Sequence, residues 1–403
     1  MVASAALVLS LAAASGLATP ESVSAVLDRL GDADVVVVND PQGTRPVRVL
    51  AATRVSVPAE KVRRLLAEPA SYASAMPSFR RVEVVSRHEH GRGVVDLEIA
   101  WELEVPLWNL EGKLWLRPRP DGVDLELEQG DFAPGLFHIT ARDEKPGRTV
   151  LAIEGFANVR DANWATRRLA RRSALAEPAI SVAAAYVLLK ALALQAERGM
   201  YARPSAALTA PDPSAFDGVP VGLAADIFAD PGKVLAAVRS RNDGRLLRVE
   251  VAVHTAASAA TASDRSNRPE VFRALPGWRK VTPVGGKAGE SRVDECKDGR
   301  AQCWEVDTNL PFFSLDGIWK IWPRPWRARA VDGDGRGAVM AIDILPGKIP
   351  DRAVVVLSQH PRIDKAGYVA RKLIAAEPLL EHGLTLALTL VDAVALGSAL
   401  QRD

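Results

Sequence analysis

The chain has 403 residues, 48% of them hydrophobic and 25% charged, a globular composition that excludes an intrinsically disordered protein and exceeds what one core usually supports. Lysine plus arginine number 51 against 49 aspartates plus glutamates. No strong net field therefore draws the protein to nucleic acid or to acidic lipid, and any basic attraction is local.

Residues 1–18 carry no charge and end in Gly16-Leu17-Ala18. They read as a signal peptide, with small residues for a signal peptidase, and place the protein in the periplasm or outside the cell. No Lys or Arg precedes the apolar run, so an uncleaved buried helix in a cytoplasmic protein stays open. Thr19-Pro20 then caps a helix on which Val23, Val26, Leu27 and Leu30 recur at helical spacing. Residues 48–57 are strand-like, and Val62, Leu65 and Leu66 mark a short helix over residues 58–66. Residues 82–85, 94–104, 112–117, 122–128, 136–142 and 149–156 alternate as consecutive strands with short connections, which favours an antiparallel meander over a parallel sheet. Helix follows, over residues 165–176 and then, past Pro178, over a nearly all-apolar stretch at residues 179–197.

The order recurs about two hundred residues on. Pro77-Ser78-Phe79-Arg80-Arg81-Val82 answers Pro276-Gly277-Trp278-Arg279-Lys280-Val281, and Trp108-Asn109-Leu110-Glu111-Gly112 answers Phe313-Ser314-Leu315-Asp316-Gly317. Ala176-Glu177-Pro178 answers Ala376-Glu377-Pro378. A fourth match, Val150-Leu151-Ala152-Ile153-Glu154 with Val339-Met340-Ala341-Ile342-Asp343, requires a deletion in the second copy. Residues 201–218, rich in Pro, Ala and Ser, make a linker between residues 19–200 and residues 219–403. The second copy is expected to open at Asp230-Pro231 with a helix through Val238, echoing Thr19-Pro20.

The strand-to-helix passage Ser56-Val57-Pro58-Ala59-Glu60-Lys61-Val62, the Glu68-Pro69 and Tyr72 that follow, and Met76-Pro77 make the chain resemble the START-like helix-grip superfamily, which includes polyketide cyclases and coenzyme-Q-binding proteins. The resemblance implies an α+β fold, with two tandem helix-grip domains, each a curved antiparallel sheet wrapped around a long C-terminal helix over a cavity. It also implies an apolar ligand such as a lipid, sterol, quinone or polyketide. The second copy is the more divergent, since residues 257–266 lack the large apolar side chains of residues 62–66.

Large rings on one sheet face would make a cavity wall or simply a core. The residues expected there are Trp101, Leu103, Trp115, Phe132, Phe137 and Val187 in the first copy, with Trp304, Trp319 and Trp322 in the second. Residues 130–135 could form a loop at the cavity mouth. Arg167, Arg168, Arg171 and Arg172 fall within two helical turns and suit either transient contact with a membrane surface or a solvated face. Cys296 and Cys303 flank an Asp298-Gly299 turn signal, which brings them together as a disulfide or as two buried thiols. His88-Glu89-His90 places two imidazoles on one strand face, but no third metal ligand is evident and a solvated hairpin end explains them.

No nucleophile elbow, phosphate loop, dinucleotide fingerprint or zinc-protease helix occurs, so no catalytic residue, metal or cofactor is assigned. The expectation is a binding or carrier protein for a hydrophobic small molecule, with no nucleic-acid partner. The alternatives are a START-type cyclase or aromatase and a second copy that is purely structural. A cyclase needs a pocket acid or base, for which Glu154 with Asp343 and Glu111 with Asp316 are the best candidates shared by the two copies. Residues 383–400 are long and apolar enough to suggest a membrane span, but Asp392 interrupts them, as Lys190 does the helix of the first copy.

Overall fold

Thr19 starts the first helix as its side chain accepts from Ser22 N at 3.2 Å, and Gly31 stops it at φ 65° with its N–H on Leu27 O. The structure, a computed structural model, describes residues 19–39, 41, 47–91, 93–105, 108–159, 167, 175–199, 221–225, 232–241, 244–284, 301–309, 315–323, 325–360, 362 and 368–401.

The first half runs α1 (Pro20–Leu30), β1 (Asp34–Asn39), β2 (Val49–Val55), α2 (Ala59–Ala67), α3 (Pro69–Ala75), β3 (Phe79–His90), β4 (Val94–Val105), β5 (Trp108–Arg119), β6 (Gly122–Gly130), β7 (Gly135–Lys145), β8 (Arg148–Ala157) and α4 (Ala176–Arg198). The second repeats it as α5 (Val221–Ala225), β9 (Lys233–Ser240), β10 (Leu246–Thr255), α6 (Ala259–Ser266), α7 (Pro269–Phe272), β11 (Trp278–Pro283), β12 (Gln302–Thr308), β13 (Gly317–Pro323), β14 (Trp326–Gly333), β15 (Val339–Pro346), β16 (Ala353–His360), α8 (Tyr368–Ala376) and α9 (Leu380–Ala399). Within each half the strand order is the same, β1-β2-β8-β7-β6-β5-β4-β3 and β9-β10-β16-β15-β14-β13-β12-β11. Each half is thus an α+β helix-grip arrangement, an antiparallel sheet around a long C-terminal helix, α4 or α9.

The halves are joined through their first strands. β1 pairs with β9 antiparallel, from Asp34 opposite Val238 to Asn39 opposite Lys233, which fuses the two sheets into one of sixteen strands. Both faces of this junction are covered. Val36 and Val38 face the main core with α4 and α9, whereas Val35 and Val37 face a second cluster formed with Val23, Val26 and Leu27 of α1 and Val221 of α5. That double burial explains why β1 is a run of valines without alternation.

Across the core α4 and α9 touch, and they do so at small residues. A β-carbon on Gly383 would stand 2.7 Å from Val187 Cγ2 and 3.3 Å from Ala183 O. Both helices are long and apolar enough to cross a membrane by composition, and both are mostly buried inside the fold, as expected of gripping helices.

Three sequence expectations are corrected here. The helix expected from Asp230-Pro231 through Val238 is not present over Lys233–Ser240, which is β9, the counterpart of β1; Asp230 and Pro231 themselves lie outside the described residues. β1 itself went unrecognised as a strand. The match of residues 150–154 with residues 339–343 is also wrong. β8 corresponds by sheet position to β16, and β15 to β7, so Glu154 aligns with Ser358 rather than Asp343 and no deletion is needed there. Residues 1–18 and 201–218 lie outside the described residues.

Candidate functional site

A cavity of about 380 Å³ lies in the first half between the sheet and α4, within the lower range of small-molecule pockets. Strand parity builds its floor. Trp101 stands opposite Gly112 and Ile99 opposite Leu114, so odd positions of β4 and even positions of β5 share the inner face. Ile99, Trp101, Leu103, Leu110, Leu114 and Leu116 accordingly line the cavity, with Leu125 and Leu127 of β6 and Phe137 of β7 continuing the wall. Gly112 is required under the indole, since a β-carbon there would meet Trp101 Cζ2 at 3.0 Å and Gln129 O at 2.4 Å. Tyr72 and Met76 close one side and Phe132 another. Phe132 takes a left-handed φ of 69°, and its carbonyl accepts from Asn158 N at 3.1 Å.

Ile180, Ala183, Ala184, Val187 and Leu188 of α4 form the roof. Ala184 is exposed in the middle of an otherwise buried helix, because its side chain faces the cavity. The remaining wall comes from the other half: Ala376, Glu377, Leu380, Leu384 and Ala387, at the end of α8 and along α9, complete the enclosure. The cavity therefore needs both halves.

The lining is apolar except at few points. Glu104 is half-exposed and held by Arg80, whose Nε donates to it at 2.7 Å, and this pairing holds the Glu104 carboxyl below its usual range. Ser78 and Glu377 are buried, and Ser78 Oγ donates to Glu377 Oε2 at 3.1 Å across the junction. The Trp101 Nε1 is buried without a partner among the described residues.

At the corresponding positions of the second half, large buried rings pack against one another. Val306 stands opposite Gly317 as Trp101 does opposite Gly112, so Ile99 corresponds to Trp304 and Leu114 to Trp319. Val123, opposite Pro118, corresponds to Trp326, opposite Pro323. Phe272, the counterpart of Tyr72, stacks on Trp326 at 5.1 Å and meets Trp304 edge-on at 5.2 Å, and Trp278 stands 6.2 Å from it. Leu125 and Leu127 become Ala328 and Ala330, which makes room for these rings.

A polar seam lies between the gripping helices. Asp34, buried on β1, accepts from Tyr186 Oη and Lys190 Nζ, each at 2.8 Å, and from Thr53 Oγ1. Burial pushes the Tyr186 phenol up, and the adjacent Asp34 charge adds to this. Tyr186 stacks on His382 of α9 at 6.5 Å. Burial pushes the His382 imidazole down to about 3, with the nearby Lys190 cation acting in the same direction. Farther along α9, burial raises the Asp392 carboxyl to about 7, although Gln359 Nε2 donates to it at 2.9 Å.

Of the residues proposed from sequence, Trp101, Leu103, Phe132, Phe137 and Val187 meet at the cavity. Trp115 does not, because it is one residue out of phase. Its Nε1 donates to Glu128 at 3.0 Å, and its ring meets His88 at 5.1 Å on the opposite sheet face. Trp304 and Trp319 are buried core, whereas Trp322 is half-buried beneath Lys320, 5.4 Å from the ring. His90 pairs with Asp96, and no group of three metal-ligating side chains occurs among the described residues. Glu111, Glu154, Asp316 and Asp343 are not lining residues; Asp316 accepts from Thr308 and Asp343 from Arg327. Cys303 is disulfide-bonded, whereas Cys296 lies outside the described residues, as do Arg168, Arg171 and Arg172; Arg167 is exposed. Sequence reasoning missed Ser78 and Glu377. Glu377 stood out in the Ala-Glu-Pro repeat, but nothing local indicates that it reaches the other half.

No protein-family model and no curated protein matches the chain. Among solved structures it is similar to the Zhui aromatase/cyclase from Streptomyces sp. R1128, at 20% identity over 38% of this chain and 93% of that one, TM-score 0.30. It is also similar to a START superfamily protein from Mycobacterium smegmatis, at 17% over 28% and 76%, TM-score 0.25. The di-domain ARO/CYC StfQ from the steffimycin biosynthetic pathway is 11% identical over 85% of this chain and 97% of its own, TM-score 0.26. These values are low, and the fold class rests on the strand order and gripping helices themselves.

Proposed function

We propose that the chain binds one apolar small molecule in the cavity of its first half, and that the second half serves as the structural partner whose helix α9 closes that cavity. The carrying observation is the contrast between equivalent positions. Where Ile99 and Leu114 of the first half line open space, the second half has the buried indoles of Trp304 and Trp319, and Phe272 meets Trp304 and Trp326. An almost wholly apolar wall favours a ligand that buries its own apolar surface, at about 25 cal/mol per Å² removed from water. The described lining residues with ionisable carboxyls, Glu104 and Glu377, are both already hydrogen-bonded, which supports holding a molecule over transforming it.

Native mass spectrometry of the purified protein, followed by organic extraction, tests this reading. One equivalent of an apolar compound is expected, and it should be lost in Ala184→Trp, where the indole would occupy the roof of the cavity. A wild-type chain that emerges empty and takes up no apolar probe would refute it.

A further inference from the structure

We infer that the ligand is a hydrocarbon body whose polar groups are confined to one end, and that this end lies beside Glu104, in water. This rests on the reading of the cavity as a binding site for an apolar molecule, and it names the class of that molecule. Five lining residues carry polar side-chain atoms: Tyr72, Ser78, Trp101, Glu104 and Glu377. Two of them give the cavity only carbon. Tyr72 Oη is turned to Leu66 O, to which it donates at 2.9 Å, and Trp101 Nε1 is buried. The other three stand together, since Glu104 N donates to Ser78 O at 2.7 Å and Ser78 Oγ to Glu377 Oε2 at 3.1 Å.

The opposite end is built differently. Leu103, next to Glu104, pairs with Leu110, whereas Leu116 lies farther along the same strands, between Leu97 and Leu125, and Leu125 pairs with Phe137. Leu116, Leu125 and Phe137 therefore make the far end of carbon, and the backbone there is taken up by sheet pairing on both sides of β5 and β6. Glu104, by contrast, lines the cavity and is half-exposed in a two-point contact with Arg80, itself half-exposed. The cavity thus reaches water at that end. A hydroxyl, carbonyl or ester carried to the far end would lose its hydration and find no partner, whereas the same group beside Glu104 keeps its water. A molecule with polar groups along its whole length is excluded; one that gathers them at one end is admitted.

Fluorescent probes with one skeleton separate the outcomes: pyrene, 1,3- and 1,6-bis(hydroxymethyl)pyrene, and 1,3- and 1,6-diethylpyrene, titrated into the full chain. The two diols are isomers, with both hydroxyls at one end of the ring system in the first and at opposite ends in the second. The diethyl pair has nearly the same shapes without the hydroxyls. The wild type should bind the 1,3-diol about tenfold more tightly than the 1,6-diol, and the diethyl isomers should differ much less. Equal affinity for the two diols, or a preference for the 1,6-diol, overturns the inference while leaving apolar binding standing. A diethyl ratio as large as the diol ratio also overturns it, since shape would then be what is selected. If pyrene itself fails to bind, the cavity reading falls and this inference with it.

Discussion

Two buried side chains of α9 set opposing responses to pH. Asp392, raised to about 7, keeps a proton that the unfolded chain releases near the ordinary carboxyl value of 3.8, so its contribution to stability falls as pH rises through that interval. His382, lowered to about 3, refuses a proton that the unfolded chain takes up below 6.5, so its contribution falls as pH drops. Between about pH 4 and 6.5 the two slopes oppose one another. Asp392→Asn should leave stability climbing with pH across that window, by up to about 1.4 kcal/mol per pH unit, and His382→Gln should leave it declining. Urea midpoints across the range measure this, and a variant profile parallel to the wild type would show that the substituted group titrates alike in both states. Asp34 has a larger role at one pH. Asp34→Ala strips Lys190 and Tyr186 of their shared acceptor and should cost about 3–5 kcal/mol in chemical denaturation; a loss below 1 kcal/mol would mean that water replaces the carboxylate.

At the level of elements, the crossing of α4 and α9 depends on Gly383. Gly383→Leu would drive side-chain atoms into Val187 and the Ala183 carbonyl, and overpacking of this kind costs about 1–3 kcal/mol. It should also weaken pyrene binding, because Leu384 and Ala387 would move away from the cavity they close; unchanged affinity would show that the wall tolerates the shift. Most elements were legible from alternation and helical spacing, down to the Thr19 cap. β1 was not, because a strand buried on both faces shows no alternation, and Val35-Val36-Val37-Val38 offered no period to read. Trp115 shows a second limit. Its neighbours Leu114 and Leu116 are equally apolar, and only the pairing of Ile99 with Leu114 determines which parity faces inward. Ser78 and Glu377 are 299 residues apart and belong to different copies, and their meeting depends on how the halves dock, which no local pattern encodes.

At the scale of the whole molecule, the two halves share a fold and differ in the size of the side chains at equivalent inner positions. The repeat was visible from the proline-aromatic and Ala-Glu-Pro landmarks, whereas matching Ile99 with Trp304 and Val123 with Trp326 required the strand registers. Trp326→Val should cost about 3 kcal/mol as the ring is lost. It should also open a second site, so that saturating pyrene rises from one equivalent toward two and recovers part of the lost stability. A stoichiometry that stays at one would show that the remaining rings collapse into the gap. The pairing of β1 with β9 has a further consequence, during synthesis. The ribosome completes the first eight strands long before β9 emerges, and for that interval β1 presents a bare valine-rich edge with one face not yet covered by α5. Such an edge recruits strands from other chains, so translation speed between β8 and β9, or a chaperone shielding that edge, governs the yield of soluble protein.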